Sequence, residues 1–102
     1  MKYVFDLDGT LCTQPNQGDY GNAQPYAQRI AYVNNLYDLG NEIVIETARG
    51  SESGIDWTEL TENQLDSWGV KYHTIRAGTK FAADLYIDDK GKNANDFFGD
   101  VK

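Results

Sequence analysis

The apolar positions of this chain fall into short unbroken runs that alternate with stretches of helical spacing. Tyr3, Val4 and Phe5 form the first run, which predicts a strand buried on both faces of a parallel sheet and leaving through Gly9. Residues 11–24 carry Pro15, Gly18 and Gly21 among polar neighbours and read as a loop. From Pro25, the positions Tyr26, Ile30, Val33 and Tyr37 recur at helical spacing until Gly40 stops the helix. Residues 42–46, EIVIE, predict a second strand. A second loop over 51–56 leads to Asp56 and Glu59, the pattern of a capping box, and to a helix with Leu60, Leu65 and Trp68 that ends at Gly69. Residues 70–75 predict a short third strand and 84–88 a fourth, and 93–98 a closing helical turn or two that buries Phe97 and Phe98. Strands alternating with helices argue an α/β, Rossmann-like three-layer sandwich around a mostly parallel central sheet.

Length and charge narrow this picture. At 102 residues the chain supports one domain, 1–102, with one core. A formal charge of −7 disfavours a nucleic-acid backbone or an anionic membrane as partner, since both attract basic faces. A small-molecule partner is the expectation. Met1 runs directly into strand with no signal-type segment, and no stretch reaches membrane-spanning length, so the expected location is cytoplasmic. Cys12 is the only cysteine, which rules out an internal disulfide or a cysteine zinc cage.

The candidate chemistry lies where the strands end. Strand side chains alternate, so Asp6 and Asp8 share a direction while Leu7 turns into packing. Two carboxylates aimed at one spot repel unless a cation lies between them, and hard oxygen donors without a His or Cys cluster suit magnesium. DxDG also serves in ordinary turns. However, the second strand ends in Thr47 and is followed by Arg49, and the fourth ends in Asp88 and Asp89. In parallel α/β sheets the ligand crevice lies outside the carboxyl ends of the strands, which brings these separated positions to one place. His73 has no partner of catalytic type nearby in sequence and reads as structural.

DLDGT at residues 6–10, Thr47 within IETAR, Lys80, and Asp88 and Asp89 within YIDDK stand in the order of the four motifs of the haloacid dehalogenase-like phosphohydrolases, which the chain resembles from Lys2 to about Phe98. TARG, WG, KYH and ADLYIDDK narrow the resemblance to small capless phosphatases associated with capsule or surface-sugar biosynthesis. One departure is Phe81, which follows Lys80 where that group usually has proline and which bears on the shape of the turn over 79–82 and on the reach of Lys80. The resemblance implies a magnesium-dependent phosphomonoester hydrolase acting through an aspartyl-phosphate, with a sugar phosphate or related metabolite as substrate. Asp6 would be the nucleophile and Asp8 the general acid and base. Thr47 and Lys80 would complete the catalytic set and bind the phosphoryl group, with Arg49 at the substrate. Asp6, the backbone carbonyl of Asp8, and Asp88 would hold Mg2+, with Asp89 ligating through water or orienting the ion.

Other readings predict different observations. A non-hydrolytic receiver-like module also gathers acidic residues, a threonine and a lysine, but it places the adjacent acidic pair after the first strand; here that pair comes last. A degenerate phosphatase fold serving as a partner domain would not need all four motifs, and a dehalogenase would not need Asp8. A cysteine phosphatase would need an arginine six residues after Cys12, where Gly18 stands. Without a cap domain, the site would be covered by the 11–24 loop, with Tyr20 as its stacking residue, by the 51–56 loop, or by a second subunit in a homo-oligomer.

Overall fold

β1 (Lys2–Asp6) is the middle strand of the sheet. β2 (Glu42–Thr47) and β3 (Thr74–Ala77) lie on one side of it, and β4 (Leu85–Asp88) and β5 (Lys92–Asn93) on the other, in the order β3-β2-β1-β4-β5. All four pairings are parallel. The structure, a computed structural model, describes residues 1–16, 18–49, 55–77, 85–88, 92–93, 97–99 and 101–102, and at 77, 85–88 and 92–93 the backbone only. α1 (Ala27–Asp38) links β1 to β2, and α2 (Thr58–Ser67) lies between β2 and β3. The chain steps outward from β1 to β3 and returns to the far side of β1 for β4, so the strand order reverses beside β1. This is a Rossmann-like α/β arrangement, and a reversal of this kind opens a crevice at the carboxyl end of the central strand.

Register explains why the first apolar run is buried on both faces. Tyr3 pairs with Ile43 and Phe5 with Ile45, and this face packs under Ile30, Val33 and Leu36 of α1 and Leu65 of α2. Val4 pairs with Val44 on the opposite face, and both are fully buried. Phe98 and Phe97 close the core beside Phe5, with ring centroids 6.0 Å from it. Each such side chain withdrawn from water contributes about 1.5–3 kcal/mol.

Both helices stop in the same way, and this moves one predicted boundary. After α1, the Gly40 N–H bonds the Tyr37 carbonyl and the Asn41 N–H bonds that of Leu36; after α2, Gly69 and Val70 bond Asp66 and Leu65 in the same pattern. These are Schellman caps, whose C′ residue needs a left-handed backbone; Gly40 and Gly69 supply it at φ +95 and +73. Val70 is therefore the apolar residue that seals the α2 cap and does not begin the third strand. Lys71 then donates its N–H to Asn34 of α1, so β3 starts at Thr74 and not at 70 as predicted. His73 has the structural role expected of it: its Nδ1 accepts the Ile43 N–H at 3.1 Å, and its ring stacks on Tyr37.

Two other local predictions are corrected. Asp56 does not cap α2 in a box with Glu59; Trp57 is the capping residue without a side-chain bond, and the Asp56 carboxylate accepts the Thr58 N–H at 2.9 Å from one position earlier. The Thr58 hydroxyl, and after it this N–H bond, hold the Asp56 carboxyl below its usual range. Asn93 belongs to β5 and not to a helix, because Lys92 and Asn93 extend the sheet beside Ile87 and Asp88; helical backbone is found at Phe97 and Phe98. Among the described residues, no helix is long and apolar enough to cross a membrane.

Candidate functional site

The turn that follows β1 is fixed by its backbone. Leu7 continues the sheet, its N–H bonding the Glu46 carbonyl at 3.1 Å, and its own carbonyl then accepts the N–H groups of Thr10 and Leu11. Gly9 takes φ +83, and its N–H reaches the Cys12 carbonyl at 2.9 Å. Any side chain at Gly9 would be strained in that conformation and would meet Gln14. The turn leaves the Asp8 carboxylate facing Arg49.

Arg49 grips it with a two-pronged fork. Nε donates to Asp8 Oδ2 at 3.0 Å and Nη2 to Oδ1 at 2.7 Å, with the two side chains 1% and 12% exposed. A bidentate guanidinium–carboxylate pair fixes orientation as well as charge. The fork is itself anchored, because Nη1 donates to Thr61 Oγ1 at 3.2 Å and to Gln64 Oε1 at 2.7 Å. Arg49 is expected at the substrate; in the structure its guanidinium bonds Asp8 and α2.

The 11–24 loop closes this assembly from above. Its two ends are tied where the Thr13 N–H meets the Gln24 carbonyl and the Tyr26 N–H meets that of Leu11, each at 2.9 Å. Its crown is pinned where Gln64 Nε2 donates to the Tyr20 carbonyl at 2.6 Å. The Tyr20 ring lies 4.7 Å from the Arg49 guanidinium carbon and packs edge-on against Trp57. The aromatic residue expected to stack on a ligand thus stacks on the arginine. Cys12 lies below, with Sγ 3.5 Å from Asp8 Oδ1 and 3.6 Å from the Leu7 carbonyl. Burial, and then the charge of Asp8, push its thiol from about 9 up to about 12, so it stays protonated and is no nucleophile.

Thr47 ends β2 buried, its Oγ1 accepting the Arg49 N–H at 3.1 Å and so keeping its own hydrogen to donate. Asp6 is half-buried and pairs in register with Glu46. Register partners in a parallel sheet share a face, so Glu46 stands on the Asp6 side, and its Oε2 is buried with no hydrogen-bond partner among the described residues. Phe5 pairs with Ile87, so Asp88 follows at the level of Asp6 on the neighbouring strand. Lys80 and Asp89 lie outside the described residues, as do Phe81 and most of the 51–56 loop. Among the described residues, no three His, Cys, Asp or Glu side chains form a metal cage.

Sequence reasoning missed Thr61, Gln64 and Glu46. Thr61 and Gln64 are three apart on α2 and so share a face; a polar pair bordering the buried Leu65 stripe was the available signal. A cavity of about 470 Å³ adjoins the site, bounded by Thr47 and Arg49 on one side and by the start of α2 and β3 on the others.

No family profile and no curated protein matches the chain. Among solved structures, a chain of the Pnkp1/Rnl/Hen1 RNA repair complex aligns over 98% of this chain and 40% of its own, at 14% identity and a TM-score of 0.67. A second structure of the Pnkp1/Rnl/Hen1 complex aligns over 98% of this chain and 43% of its own, at 16% identity and a TM-score of 0.64. These likenesses show a shared fold. The crystal structure of an MCSG target from Vibrio cholerae aligns far more fully, over 95% of this chain and 87% of that one, at 32% identity and a TM-score of 0.73. With that identity sustained over nearly its whole length, the chain belongs to the family of this Vibrio cholerae protein.

Proposed function

We propose that the chain is a magnesium-dependent phosphomonoester hydrolase of the haloacid dehalogenase-like superfamily, with that superfamily's three-layer sandwich. The observation that carries the reading is the Asp8 carboxylate held by the Arg49 fork, two residues beyond Asp6 at the carboxyl end of the central strand. Burial of Val4 and Val44 on the face away from the helices supports a third layer. All four motifs stand in the superfamily's order, and Thr47 keeps a hydroxyl hydrogen for a phosphoryl oxygen. Likeness of fold to a chain of an RNA repair complex raises a nucleic-acid substrate, but a charge of −7 disfavours a polyanion.

In the first displacement, an Asp6 carboxylate oxygen attacks phosphorus in line while the bond to the leaving oxygen breaks. Asp8 delivers a proton to that oxygen. In the second, Asp8 takes a proton from water as the water attacks phosphorus and the Asp6–phosphate bond breaks. Asp8 Oδ1 receives Arg49 Nη2 and lies beside the Cys12 thiol, whereas Oδ2 receives Nε alone, so Oδ2 has the lone pair to carry the proton. Arg49 is a positioning residue that fixes this oxygen. Thr47 donates to the transferring group, and Lys80 would supply the positive charge that its motif implies.

The donor set fits magnesium. The carboxylate of Asp6, the backbone carbonyl of Asp8, and Asp88 at the end of β4 are hard oxygen donors, with Asp89 next in the chain. The one thiol stays protonated and the one histidine is tied to Ile43. Bound magnesium offsets the charge of an anionic nucleophile meeting an anionic ester. In the test, Asp6→Asn abolishes phosphate release, whereas Asp8→Asn loses about 10²- to 10⁴-fold on alkyl phosphates and much less on aryl phosphates with acidic leaving groups. Equal losses of Asp8→Asn on both ester types would remove Asp8 from the acid role. Absence of turnover on any ester would favour a receiver-like binding module.

A further inference from the structure

The cavity of about 470 Å³ shares Thr47 and Arg49 with the catalytic site and is otherwise unused by the chemistry proposed for it. Pockets for small ligands span about 300–1,000 Å³, so this one accepts a body of monosaccharide size. Its walls are rich in hydroxyls, from Thr58 and Thr61 of α2, Thr74 of β3 and Tyr72 before it. The ring of Trp57 adds one aromatic surface.

Among the described residues its charge is one-sided: Asp56 and Glu62 line it, and the one described Lys or Arg of the wall, Arg49, has four hydrogen bonds to Asp8, Thr61 and Gln64. An anionic body entering here meets two carboxylates and, among the described residues of the wall, no uncommitted Lys or Arg. A hydroxylated body meets donors and acceptors, and an amino group meets the carboxylates favourably.

We infer that this cavity seats the non-phosphate part of the substrate, and that this part is a neutral or amino-bearing monosaccharide. The inference rests on the hydrolase reading for the position of the phosphate, at the Thr47 mouth, and on the cavity itself for the sugar. The cover expected from the first loop is thereby reassigned: residues 11–24 close over Arg49, and recognition falls to the groove between α2 and the outer strand.

Two measurements test it on the whole chain. In the first, backbone amide shifts are followed on adding unphosphorylated glucosamine, glucose or glucuronate. Saturable shifts at Thr58, Thr61 and Thr74 are expected with the first two sugars and not with the acid. Equal response to glucuronate would overturn the charge argument, and no response at these residues to any sugar would overturn the seat. In the second, the ratio of kcat/KM for glucosamine 6-phosphate over methyl phosphate is compared among variants. Thr74→Trp, which fills the groove from an exposed strand position, lowers that ratio at least ten-fold. Glu62→Lys shifts preference toward anionic-bodied esters by about two- to five-fold, the scale of an exposed charge contact. An unchanged ratio in folded, active Thr74→Trp defeats this inference and leaves the hydrolase reading intact. Sugar shifts without hydrolysis of any ester would defeat the hydrolase reading and leave sugar recognition standing.

Discussion

At the scale of single residues, the site is decided by what Arg49 touches. Its fork holds Asp8 in one orientation and ties it to α2 through Thr61 and Gln64, so a change at Arg49 acts through Asp8. Arg49→Lys keeps a charge but loses the planar two-pronged geometry. It should lower kcat by ten-fold or more with little change in KM, and the loss should be larger on alkyl than on aryl phosphates, as for Asp8→Asn. The double variant Asp8→Asn with Arg49→Lys should be little worse than Asp8→Asn alone. A loss seen mainly in KM would instead return Arg49 to the substrate.

Cys12 gives a residue-scale prediction about pH. Its thiol is raised from about 9 to about 12 in the folded protein, so above pH 9 the unfolded chain releases a proton that the folded chain retains. The unfolded state then binds fewer protons, and stability falls as pH rises through that window. The stability difference between the native chain and Cys12→Ala should shrink steadily from pH 9 upward by chemical denaturation. Parallel pH curves would show that the thiol is not coupled to folding. Asp6 was legible as the residue that ends β1, whereas Asp8 lies beyond the strand in the turn fixed by Leu7 and Gly9. The role of Arg49 was not legible, since it depends on α2 and on a loop crown forty-four residues away from Gln64 in sequence.

At the scale of elements, α1 does more than cover the sheet. Arg29, fully buried on its inner face, donates Nη1 to the Thr10 carbonyl at 3.0 Å and Nε to the carbonyl of Val101, with its guanidinium carbon 4.9 Å from the Phe98 ring. It clasps the turn after β1 to the segment that closes the core. Arg29→Ala leaves both carbonyls without this donor and should cost about 2 kcal/mol or more in denaturant unfolding. A change within about 0.5 kcal/mol would mean that water replaces the clasp. Position 29 stands three residues after Tyr26 and four before Val33, beside the apolar stripe, but a pattern of hydrophobic residues does not register an arginine there. Element type was legible wherever apolar runs were long. The start of β3 was not, because Val70 has the hydrophobicity of a strand residue while serving as the seal of a helix cap. β5 was missed because Lys92 and Asn93 have no strand-like side chains; pairing to β4 alone makes them a strand.

At the scale of the whole molecule, the reversal of strand order beside β1 gathers residues from positions 6 to 88 at one edge of the sheet. The alternation of runs made this architecture legible. The cavity was not legible, since it arises from the spacing of α2 from β3, and no sequence pattern encodes a gap. The central claim is that Asp6 becomes covalently phosphorylated and then releases phosphate. The most direct measurement is rapid acid quenching of the protein during turnover of a phosphate ester with magnesium, followed by mass-spectrometric location of the trapped group. The account predicts a phosphoryl group on Asp6 that accumulates in Asp8→Asn, is absent in Asp6→Asn, and requires magnesium. Phosphate release that continues in Asp6→Asn, or a phosphoryl group trapped on any other residue, would contradict it.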